Sequence, residues 1–399
     1  METLGLYISV PFCRSKCTYC NFASGVFPSS YFEQYTARLE ADLHTARAQA
    51  AAWGAVLPAA ADTIYFGGGT PSILPAELVR RIFSAIRGEL TVMPDAEITV
   101  ECAPGQLEEA TLAAFAAAGV NRISFGVQSF IDREAALTGR LHNRAIALED
   151  IRRVRTAGIS NISLDLIAGL PGQTAASWRE SLAVLADTGV DHASIYMLEV
   201  DDDSRLGREI GIGGLRYHAV EIPSDDAIAD FYIEGVAFLA GQGMMQYEIS
   251  NFVRTGAQAD HSSRHNLKYW QRAPYLGIGV DAHSMLRTGA GQALRFATTD
   301  ELEPFLAAAG WNEPHWLTRR EELEEAWFLG LRLNQGVSLT ALCEEFGAEN
   351  VGEYVGRLRE LESEGLVVRS RDHVALTAQG RLLSNEVFGR FLEERAAAV

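Results

Sequence analysis

Leu6-Tyr7-Ile8-Ser9-Val10-Pro11-Phe12-Cys13-Arg14-Ser15-Lys16-Cys17-Thr18-Tyr19-Cys20-Asn21-Phe22 sets a short β-branched run directly before three closely spaced cysteines. The run 6–10 predicts a strand, so the cysteines fall in the loop at its C-terminal end. Three thiolates at this spacing can hold three irons of a cubane cluster and leave the fourth iron open to a small molecule. The remaining cysteines, Cys102 and Cys343, are far along the chain. Such usage is no disulfide framework and fits a reducing compartment.

Outward from that run, five further apolar stretches recur at 63–66, 97–102, 122–128, 162–167 and 194–198. Between them lie segments of helical spacing at 31–53, 75–90, 107–118, 146–157 and 174–188, with another following at 224–241. Gly119, Gly158 and Gly189 close three of the helices, as expected of left-handed C-caps. This alternation predicts parallel strands with crossover helices, and six units fit a partial (β/α)6 barrel; an open Rossmann-like sheet is the competing architecture.

Beyond residue 242 the pattern gives way to a region rich in Gly, Asn and His, and from about Trp316 a different composition begins. Helical segments at 321–333, 338–346 and 351–364, then a short apolar hairpin, follow the order of a winged helix. The expected division is therefore 1–242 barrel, 243–315 connecting region and 316–399 winged-helix-like domain. DNA contact by the last is opposed by its charge, ten basic against fifteen acidic side chains.

The whole chain of 399 residues carries a formal charge of −18, which disfavours nucleic acid and anionic membrane surfaces as partners. Apolar runs are broken well short of spanning length and no basic leader precedes the first strand, so neither membrane insertion nor export is expected. The expectation is a cytoplasmic protein.

Barrels of this kind place their chemistry at the C-terminal ends of the strands. The second strand ends in Gly67-Gly68-Gly69-Thr70-Pro71, which lets backbone approach a ligand closely; the third ends at Glu101, the fourth at Gln128, and the fifth carries Asp165. Arg140 lies about three helical turns after Gln128. These groups converge on one mouth and suit a ligand with hydroxyls, an ammonium and a carboxylate. A structural zinc site would need a fourth ligand, and Cys102, next to Glu101 on a strand, faces the opposite way if Glu101 faces in.

On the Cys13-x-x-x-Cys17-x-x-Cys20 loop, the GGGTP run and the strand-end residues, the chain resembles the radical S-adenosylmethionine (SAM) superfamily, in the branch of the oxygen-independent coproporphyrinogen oxidases. That resemblance implies a 4Fe-4S cluster on Cys13, Cys17 and Cys20 whose open iron chelates SAM, and reductive cleavage of SAM to a 5′-deoxyadenosyl radical. It further implies that Tyr7 and Tyr19 pack beside cluster and SAM. Gly68, Gly69 and Thr70 would meet the methionine portion, and Glu101, Gln128, Arg140 and Asp165 would take polar contacts with SAM or with a second SAM.

A later segment narrows the branch. His265-Asn266-Leu267-Lys268-Tyr269-Trp270 is similar to the His-Asn-x-x-Tyr-Trp signature of the HemW-type haem chaperones, which bind haem and deliver it to acceptor proteins. The resemblance implies haem as cargo, with His265 the first candidate for its iron and Asn266, Tyr269 and Trp270 beside it; His261 and His283 rank lower. The partner implied is an acceptor haem protein, in solution or in a membrane, and a homodimer is open. Phe22 stands where the oxidase branch has a fourth cysteine, which argues against coproporphyrinogen decarboxylation. The alternative is a radical SAM enzyme, a coproporphyrinogen III dehydrogenase or a methyltransferase, acting on a porphyrinogen or other small molecule.

Overall fold

The computed structural model describes residues 2–256, 260–308 and 310–392. Its main sheet contains β1 (Leu4–Val10), β2 (Ala55–Val56), β3 (Ala60–Gly68), β4 (Thr91–Cys102), β5 (Arg122–Gln128), β6 (Asn161–Ala168), β7 (His192–Met197), β8 (Met244–Gln246), β9 (Asn251–Arg254), β10 (Tyr275–Gly279), β11 (His283–Thr288), β12 (Ala293–Ala297) and β13 (His315–Trp316). In space β1, β3, β4, β5, β6 and β7 lie side by side and parallel, each step crossing over through helix. These are the six units of the partial barrel, and the sheet stays open, ending at β13 on one side and β8 on the other.

Side chains alternate across the strands, and the two faces differ sharply. Outward, Leu6, Ile8, Ile64, Phe66, Val100, Phe125, Leu164 and Ile195 are buried with Leu39, Ile82, Phe115, Val154, Trp178 and Leu182 of the surrounding helices, so the hydrophobic core lies between strands and helices. Inward stand Tyr7, Ser9, Thr63, Tyr65, Glu97, Glu101, Arg122, Ser124, Ser163, Asp165, His192 and Ser194. Most of them are hydrogen-bonded to one another or to neighbouring loops, for example Tyr65 to Glu101 and Ser163 to His192, both at 2.8 Å, while Arg122 Nε is buried without a partner. A polar lumen of this kind is a place to hold a ligand rather than a packed barrel centre.

Residues 243–315 extend both edges of this sheet. β9 pairs antiparallel with β7, whereas β10 joins β1 in parallel and carries β11, β12 and β13 in antiparallel succession. The sequence pattern carried no strand expectation here, because these strands are short and are defined by the edges they pair with.

The last part of the chain has its own core around Trp327, Tyr354, Leu358, Val374 and Phe391. A three-stranded antiparallel sheet, β14 (Val337–Ser338), β16 (His373–Leu376) and β15 (Val367–Ser370) in that order, packs with helices Arg319–Leu331, Leu339–Phe346 and Val355–Ser363 in winged-helix succession. It is tied to the barrel: Ile249 belongs to its core, and Asn334 donates from its backbone to Tyr247 O at 3.0 Å and from its side chain to Gln246 O at 2.6 Å. Among the described residues no helix is long and apolar enough to cross a membrane.

Candidate functional site

The cysteine loop is closed at its base, Cys13 N donating to Gly25 O at 2.8 Å and Gly25 N to Pro11 O at 2.9 Å. Lys16 Nζ spans the loop to the carbonyls of Phe22 (3.0 Å) and Ser24 (2.9 Å). Thr18 is held from two sides, by Thr138 O at 3.1 Å and by Leu206 N at 2.9 Å. These bonds present Cys13, Cys17 and Cys20 to one cavity of about 510 Å³ at the C-terminal ends of the strands. That size is within the range of small-ligand sites.

The glycine run makes close approach possible. Gly69 N donates to Val10 O (2.7 Å) and Thr70 N to Phe12 O (2.8 Å), zipping the end of β3 onto the cysteine loop. A Cβ on Gly69 would meet Phe12 O at 2.7 Å and Cys13 Sγ at 3.0 Å, and Gly68 has a positive φ of 98°. Thr70 Oγ1 reaches Cys13 Sγ at 3.7 Å.

Glu101, Gln128, Arg140, Asp165 and Tyr19 all line the same cavity. Gln128 follows a register shift between β5 and β6 and sits at φ 67°, an uncommon conformation for a side-chain-bearing residue. Gly126, without a Cβ, leaves room for the Gln128 amide and the Arg140 guanidinium, which a methyl would meet at 2.9 and 3.2 Å. Arg140 Nη2 donates to Tyr19 OH at 3.2 Å, while Ser124 Oγ donates to both oxygens of Asp165 at 3.3 Å.

Burial pushes the carboxyl of Glu101 up to about 7, with Asp165 adding to the rise and the Tyr65 hydroxyl opposing it. Asp165 is also raised by burial, against Ser194 and Arg122. Burial likewise lifts the thiols of Cys13 and Cys20, although Thr70 and Lys16 respectively pull the other way.

The donor set fits a cluster with one open iron and a polar cofactor beside it. Three thiols share one cavity, and burial disfavours the bare thiolates of Cys13 and Cys20, so a cationic iron centre would supply the missing compensation. Gln128 Oε1 and Arg140 Nε are buried without partners there, free for a carboxylate, ammonium or hydroxyl. Cys102 borders the same cavity but is itself buried in the hydrophobic core, its Sγ toward Val100 O, and Cys343 packs against the terminal core, so neither joins the trio. Among the described residues no three His, Cys, Asp or Glu side chains converge on a position for a single metal ion.

A second cavity, about 370 Å³, adjoins the first and shares Phe22 and Gly68 as wall. Tyr7, expected beside cluster and SAM, lines this one instead, because it lies one strand step below the mouth; Tyr269 and Trp270 line it as well. His265 and Asn266 line neither cavity. The helix Arg264–Trp270 is capped by Ser263 and by Glu97, whose carboxylate accepts from the backbones of Arg264 and His265 at 3.1 and 3.0 Å. This anchoring turns His265 into the lumen, where Nδ1 meets Thr63 Oγ1 at 2.8 Å and Nε2 meets Tyr269 OH at 2.7 Å. At 1% exposure and with both nitrogens engaged, His265 is a brace in this structure and does not present a lone pair to iron. Asn266 serves the helix start through its backbone.

Sequence reading did not anticipate the terminal domain's share of the first cavity, lined by Arg332, Ser384 and Asn385. Arg332 lies over the Trp270 ring at 4.2 Å and 4.0 Å from the buried Glu248. No local pattern marks an arginine just past a helix end as such a residue.

Comparisons with known proteins agree with this layout. Residues 7–185 match the Radical SAM superfamily and residues 317–383 the HemN C-terminal domain. The chain is 34% identical to the heme chaperone HemW of Bacillus subtilis over 97% of this chain and 99% of that protein. The chain belongs to the HemW family of radical SAM proteins. Within the family's reach it is 29% identical to the Escherichia coli heme chaperone HemW, covering 99% of both chains. It is also 32% identical to the mitochondrial radical S-adenosyl methionine domain-containing protein 1 of Bos taurus, over 92% of this chain and 82% of that one. The fold of this HemW-family member is that of the solved Escherichia coli coproporphyrinogen III oxidase HemN, with TM-score 0.81 at 23% identity, covering 98% of this chain and 90% of that one.

Proposed function

We propose that this protein is a haem chaperone, binding haem and passing it to an acceptor apoprotein while carrying a SAM-liganded 4Fe-4S cluster. The observation that carries the reading is the pair of adjoining cavities. One is rimmed by Cys13, Cys17 and Cys20, and the other by Tyr7, Tyr269 and Trp270, with Phe22 and Gly68 between. Curated relatives that span nearly the whole chain are named heme chaperones, which supports the same assignment.

In this reading Cys13, Cys17 and Cys20 ligate the cluster, and Gly68, Gly69 and Thr70 offer backbone and hydroxyl to the methionine end of SAM. Gln128 and Arg140 take its charged groups, and Glu101 and Asp165 its hydroxyls. When bound, the cluster supplies one-electron chemistry to the sulfonium. Glu101, with its carboxyl near 7, can hold or release a proton at the cavity wall in the neutral range. The Phe22 ring keeps cargo and cysteine loop apart, and the aromatic faces of the second cavity suit a porphyrin. The sequence signal in place of a fourth cysteine agrees with a carrier rather than a coproporphyrinogen oxidase.

The test is anaerobic reconstitution followed by hemin titration and a coproporphyrinogen assay on the same sample. Saturable hemin binding, haem passage to an added apo-haem protein and no coproporphyrinogen consumed are the expected results. In Cys17→Ala the 4Fe-4S absorbance is lost while hemin binding persists. Coproporphyrinogen turnover without saturable hemin binding would overturn the proposal in favour of the enzyme reading.

A further inference from the structure

The connection that leaves β7 and leads to the helix Asp225–Gly241 is a strap with little packing of its own. Of residues 199–224 only Ser204, Leu206 and Gly207 are buried, and Ile210, Ile212, Leu215 and Val220 stand exposed along its crest. Tyr217 and His218 both sit at positive φ, 55° and 58°, a conformation that costs energy in residues with side chains. Among the described residues, hydrogen bonds tie residues 200–222 to the rest of the chain at two points. At the first, Leu206 N donates to Thr18 O and Asn21 Nδ2 to Asp201 Oδ2, both at 2.9 Å. At the second, the Glu221 carbonyl accepts from Gly172 N at 2.8 Å and its carboxylate from Arg133 at 2.6 Å. Those anchors lie in loops that follow β1, β5 and β6, and Glu199 at the strap's root lines the first cavity, so the strap spans part of its mouth.

The first anchor lands inside the cysteine loop. Thr18 lies between Cys17 and Cys20, and Asn21 directly follows Cys20. Between them, Tyr19 packs with Val200 and Ile222 of the strap on a small apolar group, Ile167, Leu170 and Leu198, while its hydroxyl accepts from Arg140 in the cavity wall. Asp201 serves both sides of the junction. Its Oδ1 accepts from Asp203 N at 2.7 Å and its carbonyl from Ser204 N at 3.0 Å, which shapes the strap's first turn, and its Oδ2 holds Asn21.

We infer that this strap is a lid that senses the cysteine loop: a loop holding its cluster seats the strap across the mouth, an empty loop releases it, and the Asn21–Asp201 bond is the latch. The inference rests on the cluster reading of Cys13, Cys17 and Cys20 and adds to it a response elsewhere in the chain. Three thiolates bound to one cluster fix the backbone between them, so Thr18 O and the Asn21 amide are presented in one place. An empty loop must first be ordered before it can hold the strap, and that entropy weakens the same two bonds. Strain at Tyr217 and His218 and the bare crest favour release, whereas the latch and the Tyr19 packing favour the seated form. Because coupling is reciprocal, the seated strap also slows loss of the cluster. A lid of this kind would keep a bound cofactor in and bulk water out once the loop is loaded.

The experiment is anaerobic limited digestion of the full-length protein with trypsin, before and after cluster reconstitution, following the cuts after Arg208 and Arg216, both exposed on the strap. With opening fast relative to cleavage, the cutting rate reports the released population. Loading the cluster is expected to slow both cuts at least about fivefold, the lower end of typical coupling between sites. Asn21→Asp sets a second carboxylate against Asp201 and, compared at equal iron per chain, is expected to lose that protection. Adding Asp201→Asn to Asn21→Asp again faces a donor with an acceptor and is expected to restore it, a rescue that a merely structural role for either residue alone would not give. Wild type cut equally with and without its cluster, Asn21→Asp protected as wild type is, or no rescue by the double exchange would each overturn the inference while the cluster reading stands. If the wild type takes up no 4Fe-4S cluster, the reading of the cysteine loop itself fails and this one with it.

Discussion

Glu101→Gln isolates the cost of ionising one carboxyl in the cavity wall. Its Oε1 accepts from Tyr65 OH at 2.8 Å, and Asp165 and Arg122 act on it through space. Burial is the largest cause of its displacement from 4.5 to about 7. Between those values the folded protein keeps the proton and the unfolded chain has released it. Stability that is complete below about pH 4.5 is therefore lost as pH rises through 7. At about 1.4 kcal/mol per tenfold change in proton affinity, the loss is about 3 kcal/mol in a dry site, and about 1 kcal/mol if water in the cavity screens the charge. Glutamine keeps an acceptor for Tyr65 and does not titrate. Equilibrium urea unfolding of both proteins, without cluster or SAM, from about pH 5 to about pH 8, is expected to show the variant gaining on the wild type as pH rises. Parallel stability curves with a constant offset would refute the reasoning, because they would mean that Glu101 ionises in the fold as it does in the open chain.

Gly69→Ala drives a methyl against Phe12 O and Val10 O, at 2.7 and 2.9 Å, and is expected to displace the cysteine loop. Iron retained per chain after reconstitution falls, with about 1–3 kcal/mol of stability lost; full cluster content would contradict the close approach. His265→Ala strips partners from Thr63 and Tyr269 inside the lumen, and chemical denaturation is expected to show a loss of about 2–4 kcal/mol. An unchanged midpoint would argue that the imidazole is not the brace described. Arg332→Ala removes the cation nearest the buried Glu248, whose carboxyl burial already raises, and uncovers Trp270. A destabilisation of about 2–4 kcal/mol, larger at neutral than at acidic pH, is expected in pH-dependent unfolding.

Much of the cluster cavity was legible because its parts obey a rule of place. Strands repeat with an even period, their C-terminal ends share one mouth, and glycines, carboxylates and amides at those ends are conspicuous against β-branched neighbours. The orientation of the helix Arg264–Trp270 was not legible. A histidine beside tyrosine and tryptophan reads alike whether its face turns in or out. Here the direction is set from afar, by the Glu97 carboxylate and by Gly5, where a Cβ would meet Lys268 Cδ at 2.9 Å and His265 Cε1 at 3.3 Å. The strands of 243–315 were hidden for a related reason: their identity comes from the sheet edges that they complete.

The manner in which the terminal domain enters the first cavity bears on how this chain can be divided. Two family models match it in separate blocks, 7–185 and 317–383, inviting cuts between exchangeable modules. Yet Arg332, Ser384 and Asn385 finish a chamber begun by residues more than a hundred positions earlier, and Ile249 is buried in the later block's core. A barrel excised alone would open its chamber to bulk water and expose Trp270. In a hybrid of two relatives, the joint that must match is therefore the arginine, indole and carboxylate contact of Arg332, Trp270 and Glu248, whatever the similarity of the linker.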